Sequence, residues 1–231
     1  MNLELFIARR IAHNGSGNRP GVMVRIAVVA VALSVTVMIL ALAVIMGFKR
    51  EITDRVTGFS AQVEVADLRS AGSIESVPVL RSEQLERTIR SAGEVVRLTP
   101  YAVKGGVVKT PDAILGVMLK GVDGGYEWSF FRDHLLEGEL PRVGDSIRTK
   151  EILISRSVAR EMGLVPGDKV EMLFVESEKS PRRDRFKVSG IYATGMDEFD
   201  RSVAMTDLRN VQRLADWSSE EVSGYEVTLA D

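Results

Sequence analysis

The feature that most constrains this chain is a run of 23 residues without a charge, from Ile26 to Phe48. A helix rises about 1.5 Å per residue and the hydrocarbon core of a bilayer is about 30 Å thick, so the run is long enough to cross it. A helix of a water-soluble domain keeps a polar face for water and rarely stays apolar for so long. We therefore predict a transmembrane helix over residues 26–48, between an N-terminal segment of residues 1–25 and a domain of residues 49–231.

A cleavable signal peptide is the alternative explanation of this run. Ala41-Leu42-Ala43 has the small-residue pattern of a cleavage site. However, the run is longer than the core of a signal peptide, which has about 7–15 residues, and it begins only after 25 residues. We therefore expect the helix to be retained as an anchor.

The charges that flank the run favour one orientation by a small margin. Four arginines precede it and three basic residues follow closely: Arg9, Arg10, Arg19 and Arg25, then Lys49, Arg50 and Arg55. Short flanks rich in arginine stay in the cytoplasm, whereas long domains are exported largely regardless of charge. We expect a cytoplasmic N-terminus, with residues 2–13 forming either a helix in the membrane interface or an ordinary capping helix, and an extracytoplasmic domain of residues 49–231.

Charge and composition exclude several functions for that domain. Residues 1–48 hold four arginines and one glutamate, so residues 49–231 carry a net charge of −5 within a chain of −2. An acidic domain lacks the basic surface that nucleic acid requires. The chain has no cysteine, which excludes disulfides, thiolate metal sites and cysteine nucleophiles. Only His13 and His134 are histidines, and no P-loop or G-x-S-x-G motif occurs. We predict no catalytic site, no metal and no cofactor.

Local patterns predict an α+β fold for residues 49–231. A charged helix continues the span over residues 49–58, and Ser82, Ser155 and Thr206 are predicted to cap three further helices, of which the second is expected to end at Gly163. Period-two alternation and apolar runs predict strands over residues 61–65, 94–99, 101–109, 113–119, 151–154, 169–175, 185–194, 203–205 and 224–229. Three neighbouring acidic residues are expected to lie in a solvated loop, because their spacing does not fit a calcium site: Asp197, Glu198 and Asp200.

Two segments are candidates for contact with partners. Small residues recur near a helical period within the span and would let another helix pack closely: Ala27, Ala30, Ser34 and Ala41. Such residues are also scattered through any membrane span. Between two predicted strands, residues 176–184 form a polar loop, which is either a simple hairpin connection or, because it is longer than usual, a functional loop. Pro181 would stiffen it beside Ser180, and Arg182 and Arg183 offer bidentate contacts to a partner's carboxylates.

Several stretches, in order, resemble the MacB/FtsX-type ABC transporter permeases, with the closest likeness to the lipoprotein-releasing LolC/LolE branch. They are Met46-Gly47-Phe48-Lys49-Arg50-Glu51 with Arg55-Val56-Thr57-Gly58, Leu119-Lys120-Gly121-Val122-Asp123, Leu136-Glu137-Gly138-Glu139-Leu140-Pro141, Ile152-Leu153-Ile154-Ser155 with Pro166-Gly167-Asp168, and Phe186-Lys187-Val188-Ser189-Gly190-Ile191-Tyr192. The likeness extends over most of the chain. It implies a bacterial inner-membrane protein whose N-terminal span is followed by a periplasmic domain of the MacB-like core type, with three more spans after residue 231.

The resemblance also implies partners and a mechanism. In this family two permease subunits, as a homo- or heterodimer, act with two ATPase subunits, and the ATPase binds the ATP. The pair extracts a lipoprotein from the membrane lipid and passes it to a periplasmic carrier, which in the LolC branch docks on a hairpin loop that matches residues 176–184. Residues near the outer end of the span would line the path of the cargo, or would simply contact lipid: Met38, Leu42, Ile45 and Met46.

Three functions remain open from the sequence. The first is transport of lipoproteins, or MacB-like efflux of small molecules or peptides. The second is an FtsX-like membrane scaffold that relays a signal to periplasmic proteins. The third, a membrane-anchored enzyme, is the weakest because the sequence offers no set of nucleophile, base and metal ligands.

Overall fold

The structure is a computed structural model that describes residues 3, 4, 6, 7, 21–70, 76–110, 113–144, 146–176, 179–196 and 200–230. The chain divides into two units, Met1–Asp54 and Arg55–Asp231. Residues 3, 4, 6 and 7 are helical and exposed, whereas Arg10 and Ile11 of the predicted N-terminal helix lie outside the described residues. The predicted domain boundaries at residues 25 and 48 stay predictions.

The first long helix, α1, covers Val22–Phe59 and includes the whole uncharged run. It begins where the Gly21 carbonyl accepts hydrogen bonds from the amides of Val24 and Arg25. The predicted charged continuation over residues 49–58 is confirmed, because the helix runs through it to Phe59. At Gly58 a β-carbon would lie 2.2 Å from the Phe130 ring, so the absence of a side chain lets that ring approach the end of α1.

The second unit contains, within the described residues, one nine-stranded sheet and a two-stranded sheet. In chain order the unit has β1 (Val63–Ala66), β2 (Val79–Leu80), α2 (Glu83–Ser91), β3 (Val95–Lys109), β4 (Ile114–Val122), α3 (Ser129–Asp133), β5 (Leu135–Gly138), β6 (Glu151–Ser155), α4 (Arg156–Met162), β7 (Lys169–Glu176), β8 (Lys179–Tyr192), β9 (Val203–Asp207), α5 (Leu208–Ala215), β10 (Glu221–Val222) and β11 (Gly224–Leu229). Strands and helices alternate irregularly, which confirms the predicted α+β class.

Six of the strands pair in a closed ring. The order β3-β4-β9-β6-β8-β7 returns to β3, because β7 pairs with both β8 and β3. The β4–β9 and β6–β8 pairs are parallel and the other four pairs are antiparallel. Closure removes the unpaired edges within the ring, and inward-facing side chains alternate with outward-facing ones along each strand. The strands β11 and β1 extend the sheet beyond the N-terminal half of β3, and β5 pairs with the end of β8.

Buried apolar side chains from this ring form the main core. Inward positions on four of its strands are fully covered, for example Leu119, Ile152, Met172 and Val188. The helix α5 closes the core by burying Leu208, Val211 and Leu214. The helix packs closely on β4 at Gly121. A β-carbon there would lie 2.8 Å from the backbone of Leu208, so the approach requires a residue without a side chain.

Several predicted elements are confirmed with their caps. The Ser82 hydroxyl accepts from the amide of Leu85 at the start of α2, and the Ser155 hydroxyl accepts from Val158 at the start of α4. Gly163 ends α4 with a φ of +64°, a conformation that glycine adopts without strain. These features depend on residues close in sequence, which is why they could be predicted.

Three predictions about the fold are wrong. The strands expected over 94–99 and 101–109 are one strand, β3; Pro100 is tolerated because the β3–β4 ladder begins only at Tyr101. The cap of α5 is Asp207, which accepts from the Arg209 amide, whereas Thr206 is the preceding residue of β9. Asp200 is buried and accepts hydrogen bonds from the Thr194 and Gly195 amides, so it is not part of a solvated loop. Asp197 and Glu198 lie outside the described residues.

The polar loop expected over residues 176–184 is also replaced by strand. β7 runs to Glu176 and β8 starts at Lys179, so the hairpin connection lies at residues 177–178, outside the described residues. The predicted partner-binding residues are therefore ladder positions of β8: Ser180, Pro181, Arg182 and Arg183. A strand could form here because the inward positions are filled by charged side chains that find partners inside the domain.

Candidate functional site

The surface of α1 is the first candidate for contact with other molecules. Every residue from Val22 to Ile52 is exposed, including the large apolar side chains throughout the predicted span. The helix is long and apolar enough to cross a membrane by length and composition. An apolar surface of this extent is not stable in water, so lipid or other apolar helices must cover it.

The two sets of α1 residues predicted from the sequence fall on adjoining sides of the helix. Successive residues of a helix are turned by about 100°, which places Ala27, Ala30, Ser34 and Ala41 within an arc of about 60°. By the same geometry Met38, Leu42, Ile45 and Met46 occupy an arc of about 100° that begins where the first arc ends. All eight are exposed, so neither set has a packing partner among the described residues.

The hairpin β7–β8 is the second candidate, and its arginines differ in orientation. Along β8 the even positions point inward and the odd positions point outward, from Pro181 to Val188. The Arg182 guanidinium turns toward the end of α5, where its Nη2 lies 2.5 Å from an Asp216 carboxylate oxygen and its Nη1 donates to the Arg213 carbonyl at 3.2 Å. Arg183 points outward, and its Nη1 lies 3.6 Å from Glu171. Of the two predicted arginines, Arg183 is the more accessible to a partner, with 73% of its side chain exposed against 41% for Arg182.

A buried carboxylate lies in the middle of this hairpin, where Asp184 is paired with Met172. Asp184 is 6% exposed and forms ion pairs with Lys150, at 2.5 Å, and with Arg213. Burial lowers the pKa of the Lys150 ammonium, and the neighbouring Arg213 and Arg148 lower it further. The three partners come from β8, from the residue before β6 and from α5, so the carboxylate ties three parts of the domain together.

A second buried ion pair lies beside the end of α1. The Lys120 ammonium on β4 is 2.5 Å from a Glu226 carboxylate oxygen on β11, and both side chains are buried. Three aromatic rings surround the ammonium at 5.7–5.9 Å, those of Phe59, Tyr101 and Tyr126. Cations are attracted to ring faces at such distances. The Phe59 ring also packs against the Phe131 ring, with centroids 5.7 Å apart, and so connects the ion pair to an aromatic cluster.

The described residues offer little that could perform catalysis. No group of three or more His, Asp or Glu side chains among them could hold a metal ion. His134 has its Nδ1 2.8 Å from the Phe130 carbonyl oxygen and its ring against the Phe130 ring, which explains its position without a catalytic role. That the chain is not an enzyme and binds no cofactor stays a prediction.

Neither buried ion pair was apparent from the sequence. A signal existed for Lys120, which is the single charge in the apolar run from Ala113 to Val122. A charge in such a run indicates a buried partner, because an unpaired buried charge is costly. Glu226 and Asp184 lie far from their partners in the chain, and no local pattern identifies the pairs.

Comparison with known proteins gives a consistent set of relatives. The family model described as the MacB-like periplasmic core domain matches residues 26–231. The lipoprotein-releasing system transmembrane protein LolC of Xylella fastidiosa is 27% identical over 199 residues, which cover 82% of this chain and 45% of that protein. LolC of Neisseria meningitidis serogroup B is 26% identical over 201 residues, with the same coverage. The chain thus spans about half the length of the curated relatives it matches.

Two solved structures of transporter domains also match part of the chain. The periplasmic region of MacB from Actinobacillus actinomycetemcomitans matches with a TM-score of 0.48 and 15% identity, covering 73% of this chain and 72% of that one. The extracellular domain of the noncanonic ABC-type transporter YknZ from Gram-positive bacteria matches with a TM-score of 0.45 and 14% identity, covering 73% and 81%.

Proposed function

The chain belongs to the MacB-like periplasmic core domain family, and from this membership we propose that it is the N-terminal part of a permease subunit of an ABC transporter. In this proposal α1 is the first membrane span, residues 1–25 lie on the cytoplasmic side of the inner membrane, and residues 49–231 lie in the periplasm. The permease has no catalysis of its own, and a separate ATPase subunit binds and hydrolyses ATP.

The exposed apolar surface of α1 is the observation that carries this proposal. A span whose whole circumference is apolar or small can meet lipid on one side and a partner helix on another. We place the second permease subunit against the arc of small residues, because small side chains let helix backbones approach closely.

Cysteine cross-linking tests this placement, and the chain contains no native cysteine to interfere. Ala41→Cys lies in the proposed packing arc, whereas Ala43→Cys lies about 160° away at nearly the same depth. If the permease is a homodimer, oxidation in membranes should cross-link two copies of the chain that carry Ala41→Cys. If it is a heterodimer, the cross-link should form when the second permease subunit carries a matching cysteine. Equal cross-linking from Ala43→Cys would show that this arc is not the packing face.

The proposed cargo is a lipoprotein in the membrane. Support comes from the LolC proteins, which are named as parts of lipoprotein-releasing systems. Each buried CH₂ of an acyl chain contributes about 0.8 kcal/mol to membrane anchoring, so extraction requires both ATP and an apolar path. We assign that path to the arc of Met38, Leu42, Ile45 and Met46, and delivery to a periplasmic carrier.

Photo-cross-linking distinguishes cargo contact from lipid contact. A photoreactive amino acid in place of Leu42 lies in the proposed path, and the same substitution of Leu40 lies about 160° away. In cells fed radioactive palmitate, the Leu42 position should give an adduct with a palmitate-labelled protein, and the Leu40 position should not. If neither position gives a labelled adduct, lipoprotein cargo is wrong and efflux of another substrate takes its place.

The carrier is proposed to dock on the β7–β8 hairpin at Pro181 and Arg183. Pro181 is exposed there, and the guanidinium of Arg183 points outward. Arg182 is less exposed than Arg183 and contacts Asp216 and the Arg213 carbonyl, so we assign the main carrier contact to Arg183. Carrier capture by pull-down should fall with Arg183→Glu and stay unchanged with Arg90→Glu on α2. Unchanged capture by Arg183→Glu would remove the hairpin from the proposal, and capture of a cell-wall hydrolase instead of a carrier would favour a signalling scaffold.

A further inference from the structure

A concave groove on the outer face of the sheet has a strong excess of positive charge. Its volume is about 530 Å³ and it is lined from β6, β7, β8 and the segment before β6. Five of its eight lining residues are basic and one is acidic: Arg142, Lys150, Lys169, Arg185 and Lys187, with Glu151. Residues 49–231 as a whole carry a net charge of −5, so this face differs in sign from the rest of the domain.

Most of these charges already have a counter-ion within the domain. The Arg142 guanidinium contacts Glu151, with Nη2 2.7 Å from a carboxylate oxygen. Lys150 is paired with Asp184, and the Arg185 Nε lies 3.4 Å from Glu171. The acidic residues around the groove are therefore engaged with the basic residues at its margin.

Lys169 and Lys187 are the exception at its centre. They are directly opposite each other in the antiparallel β7–β8 ladder, and both side chains are exposed on the outer face. No ion pair within 4 Å involves either lysine among the residues that the structure describes. Lys187 is also paired with Glu151 of the neighbouring strand β6. The Glu151 carboxylate, however, accepts hydrogen bonds from the Arg142 amide and guanidinium. Like charges directly opposite in a ladder destabilise a sheet.

From this arrangement we infer that the groove is a docking site for an acidic segment of a partner protein, whose carboxylates neutralise Lys169 and Lys187. A bound anion offsets the repulsion within the ladder and adds contacts with the ammonium groups. A carboxylate can contact each ammonium group, because lysine is a flexible point charge with three donors and the arginine forks nearby are already occupied.

The shape of the groove distinguishes this partner from other polyanions. A bilayer presents a broad surface of head groups, whereas this groove is small, with a volume of about 530 Å³ between eight side chains. Nucleic acid is a poorer fit, because three of the five basic residues that line the groove are already paired within the domain and only two remain for phosphates. The groove lies toward the opposite end of the hairpin from its connection: Lys187 is four residues from Arg183 along β8, or roughly 13 Å at about 3.3 Å per residue. It adjoins the proposed carrier contact, because Glu171 pairs with both Arg183 and the groove residue Arg185, but its two central lysines are not part of that contact. The inference does not depend on the transport proposal.

A labelled deca-glutamate peptide is the probe, with the whole chain in a nonionic detergent at low ionic strength. The double variant K169Q/K187Q should bind the peptide about ten-fold more weakly in a fluorescence-anisotropy titration, since exposed charge contacts of this kind contribute modestly each. The control R87Q/R90Q removes the same charge from α2 and should change the affinity by less than about two-fold. K169Q/K187Q should also melt at or above the temperature of the unsubstituted chain, which shows that lost binding is not lost folding.

Three results would overturn the inference. One is equal loss of binding in K169Q/K187Q and in the control. Another is displacement of the peptide by inorganic phosphate at constant ionic strength, which would make the groove a phosphate site. The third is lysine-dependent binding of phosphatidylglycerol-doped micelles without lysine-dependent binding of the peptide, which would assign the groove to lipid head groups.

Discussion

The Lys120 ammonium lies 2.5 Å from the Glu226 carboxylate, with the two side chains only 8% and 9% exposed. The pair joins β4 to β11 beneath Phe59, the last residue of α1. Glu226 is also 3.5 Å from the hydroxyl of Ser60, the first residue after the helix. The pair thus stabilises the part of the second unit in which α1 ends.

Removing one partner of this pair should be strongly destabilising. Lys120→Met leaves the Glu226 carboxylate buried without a cation, and such a loss costs about 3–5 kcal/mol. We expect a large drop in the midpoint of thermal unfolding, followed by circular dichroism in detergent. The double variant K120M/E226L replaces both charges by apolar groups and should recover most of the loss. A single variant as stable as the unsubstituted chain would show that the pair is not formed.

Two glycines of β4 should respond in opposite ways to alanine. A β-carbon at position 121 would lie 2.8 Å from the Leu208 backbone and 2.8 Å from a Val211 methyl group, so Gly121→Ala should push α5 away at a cost of about 1–3 kcal/mol. Gly116→Ala meets nothing within 4 Å and should be neutral or slightly stabilising. Chemical denaturation of both variants checks this, and equal stability of the two would contradict the packing of α5 on β4.

The Arg142–Glu151 contact should make a small, pH-dependent contribution to stability. Hydrogen bonds from the Arg142 guanidinium lower the pKa of the Glu151 carboxyl below its ordinary value of 4.5. A lowered pKa in the folded state stabilises the fold above pH 4.5, and this stabilisation is lost as the pH falls through the folded-state pKa. Because Arg142 is largely exposed, the effect should be below about 1 kcal/mol. The difference in melting temperature between the unsubstituted chain and Glu151→Gln should therefore be positive at pH 7 and shrink below pH 4.5; a constant difference would contradict it.

Reversing one charge of the opposed lysines should stabilise the domain. Lys169→Glu places a carboxylate directly opposite Lys187, and an opposite-charge pair in this position contributes roughly 0.2–1 kcal/mol. The melting temperature should rise at low ionic strength, and the gain should fall as salt is added because salt screens exposed charges. A lower melting temperature at low salt would show that the two side chains do not face each other.

The sequence predicted those parts of the fold that depend on neighbouring residues. The uncharged run predicted α1, Ser82 and Ser155 predicted the starts of α2 and α4, and Gly163 predicted the end of α4. Each depends on residues within one or two helical turns, where periodicity and capping chemistry are visible.

The rest depends on contacts between distant segments. The charged residues from Arg182 to Arg185, Asp184 among them, predict a loop. In the structure Asp184 fills an inward strand position, because it pairs with Lys150 and Arg213, which are far away in the chain. Closure of the six-stranded ring likewise depends on pairing of β7 with β3, for which local alternation gives no indication. For the same reason the opposed lysines of the groove emerge only once the register of β7 and β8 is known.

The central claim is that α1 crosses the membrane and leaves the second unit outside the cytoplasm. Single cysteines at Glu4 and Arg90, both exposed, test it in a chain that has no native cysteine. In intact spheroplasts a membrane-impermeant maleimide should label Arg90→Cys but not Glu4→Cys, which should react only after the membrane is permeabilised. Labelling of both cysteines in intact spheroplasts, or of neither, would contradict the claim.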